Sequence, residues 1–291
     1  MVSADTESAT GKTCLITGAT NGIGKATAHA LAAAGGTVVI HGRDRARTEA
    51  TRAEIQTASA NADVHMLLAD FASLVQVQRL AGEFQRQFGA LHVLINNAGL
   101  LTDHRQLSHD GYELTFAVNH LAPFLLTNLL LPTLIDSAPA RIATNSSSAM
   151  SSAQIDLDDL QMEQQFDGWK AYANTKLANA LFSNLLAERL AETRVVSNAF
   201  CPGLVDSGLL KGNRDFGADG IERLRPRMRP PEEGAITPVF LATAADAEQV
   251  SGAFFLKSHG SGKTPLRIRW DADLAQRLWD ASVEHVDEWL G

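Results

Sequence analysis

The run Thr17-Gly18-Ala19-Thr20-Asn21-Gly22-Ile23-Gly24 joins a short β-like segment, residues 12–17, to an alanine-rich helical segment that closes at Gly35 and Gly36. Glycine lets a backbone approach a ligand closely, and a helix that starts right after a strand presents free N–H groups and the positive end of its dipole. That arrangement holds a pyrophosphate. Outward from this junction, periodicity predicts a second strand over 37–42, a charged helix over 44–58, a third strand over 64–68 and a helix over 72–88. A βαβαβ half is then complete. Further strands are predicted at 91–95, 141–145, 195–200 and 252–256, with a long helix at 112–135 and another at 170–190 that carries Leu177, Leu181, Leu185 and Leu186 on one side. Strands alternating with helices throughout predict an α/β chain. It should form a single Rossmann-type doubly wound domain, about seven mostly parallel strands with helices on both faces.

Residues 1–10 read as a flexible N-terminal tail, 11–257 as the catalytic domain and 258–291 as a C-terminal extension packed on the same domain. The extension should end in an amphipathic helix containing Trp270, Leu274, Leu278 and Trp289. Two stretches break the alternation: a polar insertion at 149–168, and 204–231, rich in Gly, Arg and Pro, which reads as a substrate lid.

Composition narrows the function. Apolar residues at 45% and charged residues at 20% support a folded core, and a net charge of -8 argues against nucleic acid as a partner. Cys14 and Cys201, the two cysteines, stand far apart, while His29, His41, His65 and His92 occur singly, so neither a disulfide framework nor a metal site is expected. Residues 1–10 lack the basic and apolar regions of a signal peptide. The longest apolar stretch, 121–135, is too short to span a bilayer and contains Thr127, Asn128 and Thr133. The expectation is a cytoplasmic protein without a membrane span.

Three further motifs follow the glycine-rich turn in order: Asn96-Asn97-Ala98-Gly99 after the fourth strand, Tyr172-Ala173-Asn174-Thr175-Lys176 on a helix, and Pro202-Gly203 after the sixth strand. With the TGxxxGxG spacing of the turn, the chain resembles the classical short-chain dehydrogenase/reductase family over residues 11–257. The resemblance implies a nicotinamide dinucleotide held by Gly18, Thr20, Asn21, Gly22, Ile23 and Gly24, and by Asn97, Ala98 and Gly99. It also implies Asp70 and Phe71 near the adenine, and Pro202, Gly203, Val205 and Ser207 near the nicotinamide. NAD-preferring members carry an acid where the second strand ends. Here Gly42 is followed by Arg43, which can meet a 2′-phosphate with charge-assisted hydrogen bonds, so NADP(H) is the expected cofactor.

Reducing a carbonyl requires hydride at carbon and a proton at oxygen, and a free phenol with a pKa of about 10 is a weak donor near neutrality. A lysine four residues after a tyrosine lies on the same helical face, where its ammonium can stabilise the phenolate. By resemblance, Tyr172 is the acid/base, and Lys176 lowers its pKa and anchors the nicotinamide ribose. Asn119 bends its helix and holds a relay water, and a serine positions the carbonyl oxygen. Ser146, Ser147 and Ser148 are consecutive, and alignment with the family's strand-plus-serines pattern selects Ser147.

The long gap from Ser147 to Tyr172, the run from Ala117 to Thr127 and the continuation Lys176-Leu177-Ala178-Asn179 resemble the retinol-dehydrogenase-like subgroup. The polar N-terminus lacks the membrane anchor of some members, and retinoid specificity is not implied. The expected activity is NADP(H)-dependent interconversion of a small carbonyl compound and its alcohol. The alternatives are a dinucleotide-binding redox sensor without turnover or a non-redox biosynthetic enzyme on the same fold. Helices equivalent to 112–135 and 170–190 form dimer interfaces in relatives, so a homodimer or homotetramer is one expectation, and packing of these helices on the chain's own sheet is the other.

Overall fold

The computed structural model describes residues 7–210, 222–256 and 263–291. Its strands are β1 (Thr13–Ile16), β2 (Thr37–Gly42), β3 (Val64–Leu68), β4 (Val93–Asn96), β5 (Ala140–Asn145), β6 (Val195–Cys201), β7 (Phe254–Leu256) and β8 (Pro265–Leu266). They form one sheet in the order β3-β2-β1-β4-β5-β6-β7-β8. The first seven pair in parallel, and β8 adds an antiparallel edge to β7. The sheet therefore has eight strands where about seven were expected. The extra strand is two residues long, too short to carry a period.

Helices α1 (Gly22–Ala33), α2 (Arg45–Ser59), α3 (Leu74–Gln87), α4 (Leu114–Asp136), α5 (Gly168–Arg189), α6 (Ile236–Thr243) and α7 (Ala272–Leu290) cover both faces. On one face, Phe84 of α3, Leu125 and Leu130 of α4, Phe182 of α5 and Trp279 of α7 pack with Leu15, Leu94 and Ile142 of the sheet. On the other, Ala28 and Leu31 of α1, Ile55 of α2 and Leu241 of α6 pack with Ile16, Ile40, Ile95 and Phe255. Strand order reverses between β1 and β4, which opens a crevice at their carboxyl ends, the place where doubly wound sheets bind ligands.

Helix α4 is long and apolar enough to cross a membrane by length and hydropathy, yet it is a mostly buried core helix here. A π-helical turn, Ala117–Leu121, interrupts it around Asn119, where the family resemblance implied a bend. The C-terminal helix begins after Trp270, because the Asp271 side chain caps it by accepting from Leu274 N at 3.0 Å. The ring of Trp279 meets Phe124 at 5.0 Å and Phe182 at 5.7 Å between centroids, and Tyr112 Oη donates to the His285 carbonyl at 2.8 Å. The faces of α4 and α5 toward these residues are thus covered by the chain's own α7.

Residues 1–6 of the expected tail and 211–221 of the expected lid lie outside the described residues. The rest of the tail departs from expectation: Ala9 is fully buried, its N–H donates to Ala34 O at 2.9 Å, and Glu7 accepts from Ala245 N at 3.0 Å. These bonds pin residues 7–10 to the helical layer. Both ends of the 204–231 segment are held together, by an isolated bridge of Val205 with Arg229 and a bond from Asp206 N to Arg229 O at 3.0 Å.

Candidate active site

The glycine-rich loop leaves β1 and turns into α1 at the crevice. Gly18 and Gly22 adopt φ values of 63° and 51°, a region that side chains disfavour. A Cβ on Gly18 would lie 2.8 Å from Ala98 Cα, and one on Gly22 2.8 Å from Ser207 Cβ. Asn21 caps α1 by accepting from Gly22 N at 2.8 Å, while its amide donates to Ser207 O at 3.0 Å and so ties the loop to the chain beyond β6. Gly24 abuts the Gly18 carbonyl, and Ile23 is buried beneath the turn.

Thr17 and Asn97 lock three strand ends together. Thr17 Oγ1 accepts from Asn97 N at 2.9 Å and Ala98 N at 3.0 Å, and Asn97 Nδ2 donates to Thr17 O at 2.9 Å. Asn97 Oδ1 then accepts from Asn145 Nδ2 at 3.3 Å. On the other side, His41 Nδ1 accepts from Gly18 N at 3.3 Å, Nε2 lies 2.9 Å from Ala69 O, and the ring stacks on Phe71 at 4.3 Å. An imidazole that accepts at Nδ1 must donate at Nε2. Burial holds His41 neutral by pushing its pKa down to about 4. Asp70 Oδ1 caps the next turn by accepting from Ala72 N at 3.0 Å. Arg43, which follows Gly42 at the end of β2, is exposed and makes no ion pair among the described residues.

The catalytic candidates converge where α4, α5 and β5 meet. Asn119 mimics a strand: Oδ1 accepts from Leu100 N at 2.8 Å and Nδ2 donates to Leu100 O at 2.9 Å, fixing the chain just beyond Gly99. Tyr172 and Lys176 lie on one face of α5, with the ammonium 5.3 Å from the ring centroid and donating to Asn145 O at 3.1 Å. Of the three consecutive serines, Ser147 is the one near enough to Tyr172 for its side chain to act on the phenol, pulling its pKa down. Ser146 is turned inward, donating to Lys176 O at 2.6 Å, and Ser148 is exposed.

Burial sets the protonation balance. It lowers the Lys176 pKa to about 8 and raises that of the Tyr172 phenol, against which the Ser147 hydrogen bond acts. Burial is the largest influence on the phenol, and Ser147 is the group that opposes it. Tyr172 packs with Ala149 and Ala173 and against Leu101, Ala153 and Leu209, and the Trp169 ring lies 5.8 Å from its ring. Apart from Ser147 and Lys176, these neighbours are apolar.

The sequence pattern of the short chain dehydrogenases matches residues 12–216. This chain belongs to that family. Within it, the chain falls in the retinol-dehydrogenase-like subgroup. It is 37% identical to retinol dehydrogenase 14 of Mus musculus, over 94% of this chain and 85% of that protein, and 39% identical to retinol dehydrogenase 12 of Bos taurus, over 94% and 86%. A solved structure of a Mycobacterium paratuberculosis protein superposes with a TM-score of 0.78 at 29% identity, covering 99% of this chain and 97% of that one. RhlG of Pseudomonas aeruginosa, solved as an NADP active-site complex, gives 0.71 at 27% identity, covering 88% and 98%.

As a short-chain dehydrogenase the chain binds a nicotinamide dinucleotide, and the site fits one. Two glycines at positive φ leave no room for side chains at the crevice, and a capped helix N-terminus faces it. Gly203, also at positive φ (84°), and the buried Pro202 and Val205 border the crevice from the β6 side. Sequence reasoning gave no role here to His41, Asn145, Asn179 or Thr175, the last of which accepts from Asn119 Nδ2 at 3.2 Å, because their contacts join distant elements. The chain's Lys-Leu-Ala-Asn run carried the one available signal for Asn179.

Proposed function

We propose that this short-chain dehydrogenase interconverts a ketone or aldehyde and its alcohol with NADP(H), using Tyr172 as general acid/base. The observation that carries the chemistry is the pairing of Tyr172 with the buried Lys176 ammonium, 5.3 Å from its ring centroid, with Ser147 acting on the same phenol. The nicotinamide, when bound, supplies or accepts the hydride. Ser147 holds the substrate oxygen, and Tyr172 Oη gives it a proton in reduction or takes one in oxidation. Lys176, whose pKa burial lowers to about 8, stabilises the phenolate and would hold the nicotinamide ribose of a bound dinucleotide. Asn119 keeps the loop beyond Gly99 in place through its paired bonds to Leu100.

The preference for NADP(H) rests on Arg43, exposed and without an ion-pair partner among the described residues, next to a β2 end that carries no carboxylate. A moderately apolar substrate matches the walls formed by Leu101, Ala149, Ala153 and Leu209, with Trp169 at the rim. The relatives named as retinol dehydrogenases make all-trans-retinal one compound of a test panel of aldehydes, cyclic ketones and quinones.

The test is NADPH oxidation by the purified chain and by Tyr172→Phe. That substitution removes only the phenolic oxygen, so turnover should fall by roughly 10² to 10⁴ while NADPH affinity stays nearly unchanged. Retained turnover in Tyr172→Phe would remove the acid/base assignment. Dinucleotide binding without turnover of any panel member would favour a redox sensor instead.

A further inference from the structure

Behind Lys176 runs a chain of buried polar groups that the proposed chemistry does not use. Asn179, one turn further along α5 and 3% exposed, donates from Nδ2 to Asn119 O at 2.9 Å and to Asn145 O at 3.1 Å. Asn145 O is the carbonyl that also accepts from the Lys176 ammonium. Asn179 Oδ1 lies 3.1 Å from His120 Nδ1, and His120 Nε2 lies 2.9 Å from Ser282 Oγ on α7. His120 and Ser282 are each 1% exposed.

The hydrogens in this chain can be assigned by elimination. Two backbone carbonyls face one end of the Asn179 amide, and only the NH₂ end can serve both, so the amide cannot be flipped. Oδ1 then has to accept from His120, which places the proton on Nδ1. Burial pushes the His120 pKa down to about 4, so the ring is neutral at pH 7 and its Nε2 is an acceptor. Its partner there is the Ser282 hydroxyl, which also donates to Leu278 O at 2.7 Å within α7, so the one hydrogen is shared between two acceptors.

We propose that Asn179 is a positioning residue of the active centre, and that α7 completes that centre through Ser282 and His120. Asn179 shares Asn145 O with Lys176 and holds it where the ammonium can serve both the phenolate and the ribose. Ser282 meets the other nitrogen of His120 and so holds the ring against the Asn179 amide. An element outside the dinucleotide-binding half thus controls the catalytic lysine. The inference rests on the role assigned to Lys176 under the proposed function.

The titratable groups facing Lys176 are Tyr172 on its own helix and Cys201 at the end of β6, and His285 of α7 faces His120. The test measures NADPH dissociation constants between about pH 7 and 9.5, where loss of the Lys176 proton should weaken binding. NADH is run in parallel, since it lacks the titrating 2′-phosphate. In Asn179→Ala the Asn145 carbonyl is left to the ammonium alone, which favours the charged form, so the inflexion should move up by about half a pH unit or more. Ser282→Ala should move it the same way by less, and should add nothing in the double variant, because both act through one chain.

Melting temperatures accompany each variant, and if Asn179→Ala does not fold, Ser282→Ala decides alone. An inflexion unmoved in the folded variants, or shifts that add, overturns the positioning role. A parent chain that binds NADPH without an inflexion in this window overturns the Lys176 assignment and the inference with it. A parent chain that binds neither dinucleotide overturns the proposed function itself.

Discussion

Arg43 is the residue on which cofactor choice turns. Its guanidinium is exposed just beyond β2 and free of ion pairs among the described residues, so no internal bond has to break before it meets a phosphate. Charge-assisted hydrogen bonds of this kind contribute about 1.5–3 kcal/mol. Arg43→Ala should therefore weaken NADPH binding by roughly one to two powers of ten and leave NADH nearly untouched, as isothermal titration with each would report. Equal affinities for the two cofactors in the unsubstituted chain would remove the preference. The motif residues Gly18, Gly22, Tyr172 and Lys176 were legible without coordinates because their spacing reflects local geometry, a tight turn or one helical face. His41 was not. It was read as an isolated core histidine, and only its bonds to Gly18 and Ala69 show that it holds the glycine loop against the end of β3.

At the scale of elements, the parallel strands and main helices were legible to within a few residues, since apolar period and glycine punctuation act over short distances. The π-helical turn at Asn119 lay outside that reach, as did β8, because neither leaves a periodic trace. Helix α7 was readable as amphipathic, whereas its partners were not. Trp279, 8% exposed, fills the space between Phe124 and Phe182 and carries the Arg189 guanidinium 4.0 Å over its ring. Trp279→Ala should cost about 3–5 kcal/mol of unfolding free energy, measurable by denaturant titration. A loss below about 1 kcal/mol would mean that α7 is not anchored there. For the expected lid, hydrogen exchange at 204–210 and 222–231 should slow when NADPH and a substrate carbonyl bind. Protection in the chain alone equal to that of the central strands would contradict a closing segment.

Over the whole molecule, two buried neutral histidines couple the fold to pH. His41 and His120 have pKa values pushed from the ordinary 6.5 down to about 4 by burial. In the unfolded chain both take up protons below about pH 6.5, whereas in the folded chain they do so only near 4, so stability is full above 6.5 and is lost as pH falls toward 4. By pH 5 each should have cost on the order of 2 kcal/mol. The melting temperature should drop between pH 7 and pH 5, and less so in His120→Asn. A flat profile over that interval would show that these rings are not held neutral inside the fold.

The α/β class, the order of strands and helices, the dinucleotide turn and the tyrosine–lysine pair were readable from residues alone, because turn chemistry and helical spacing operate between neighbours in the chain. Tertiary structure decided which serine meets Tyr172, which way burial moves the phenol and the ammonium, and how α7 reaches Lys176 through Ser282, His120 and Asn179. Those outcomes depend on desolvation and on hydrogen bonds between residues up to 162 positions apart, and such quantities exist only after the sheet has brought its elements together.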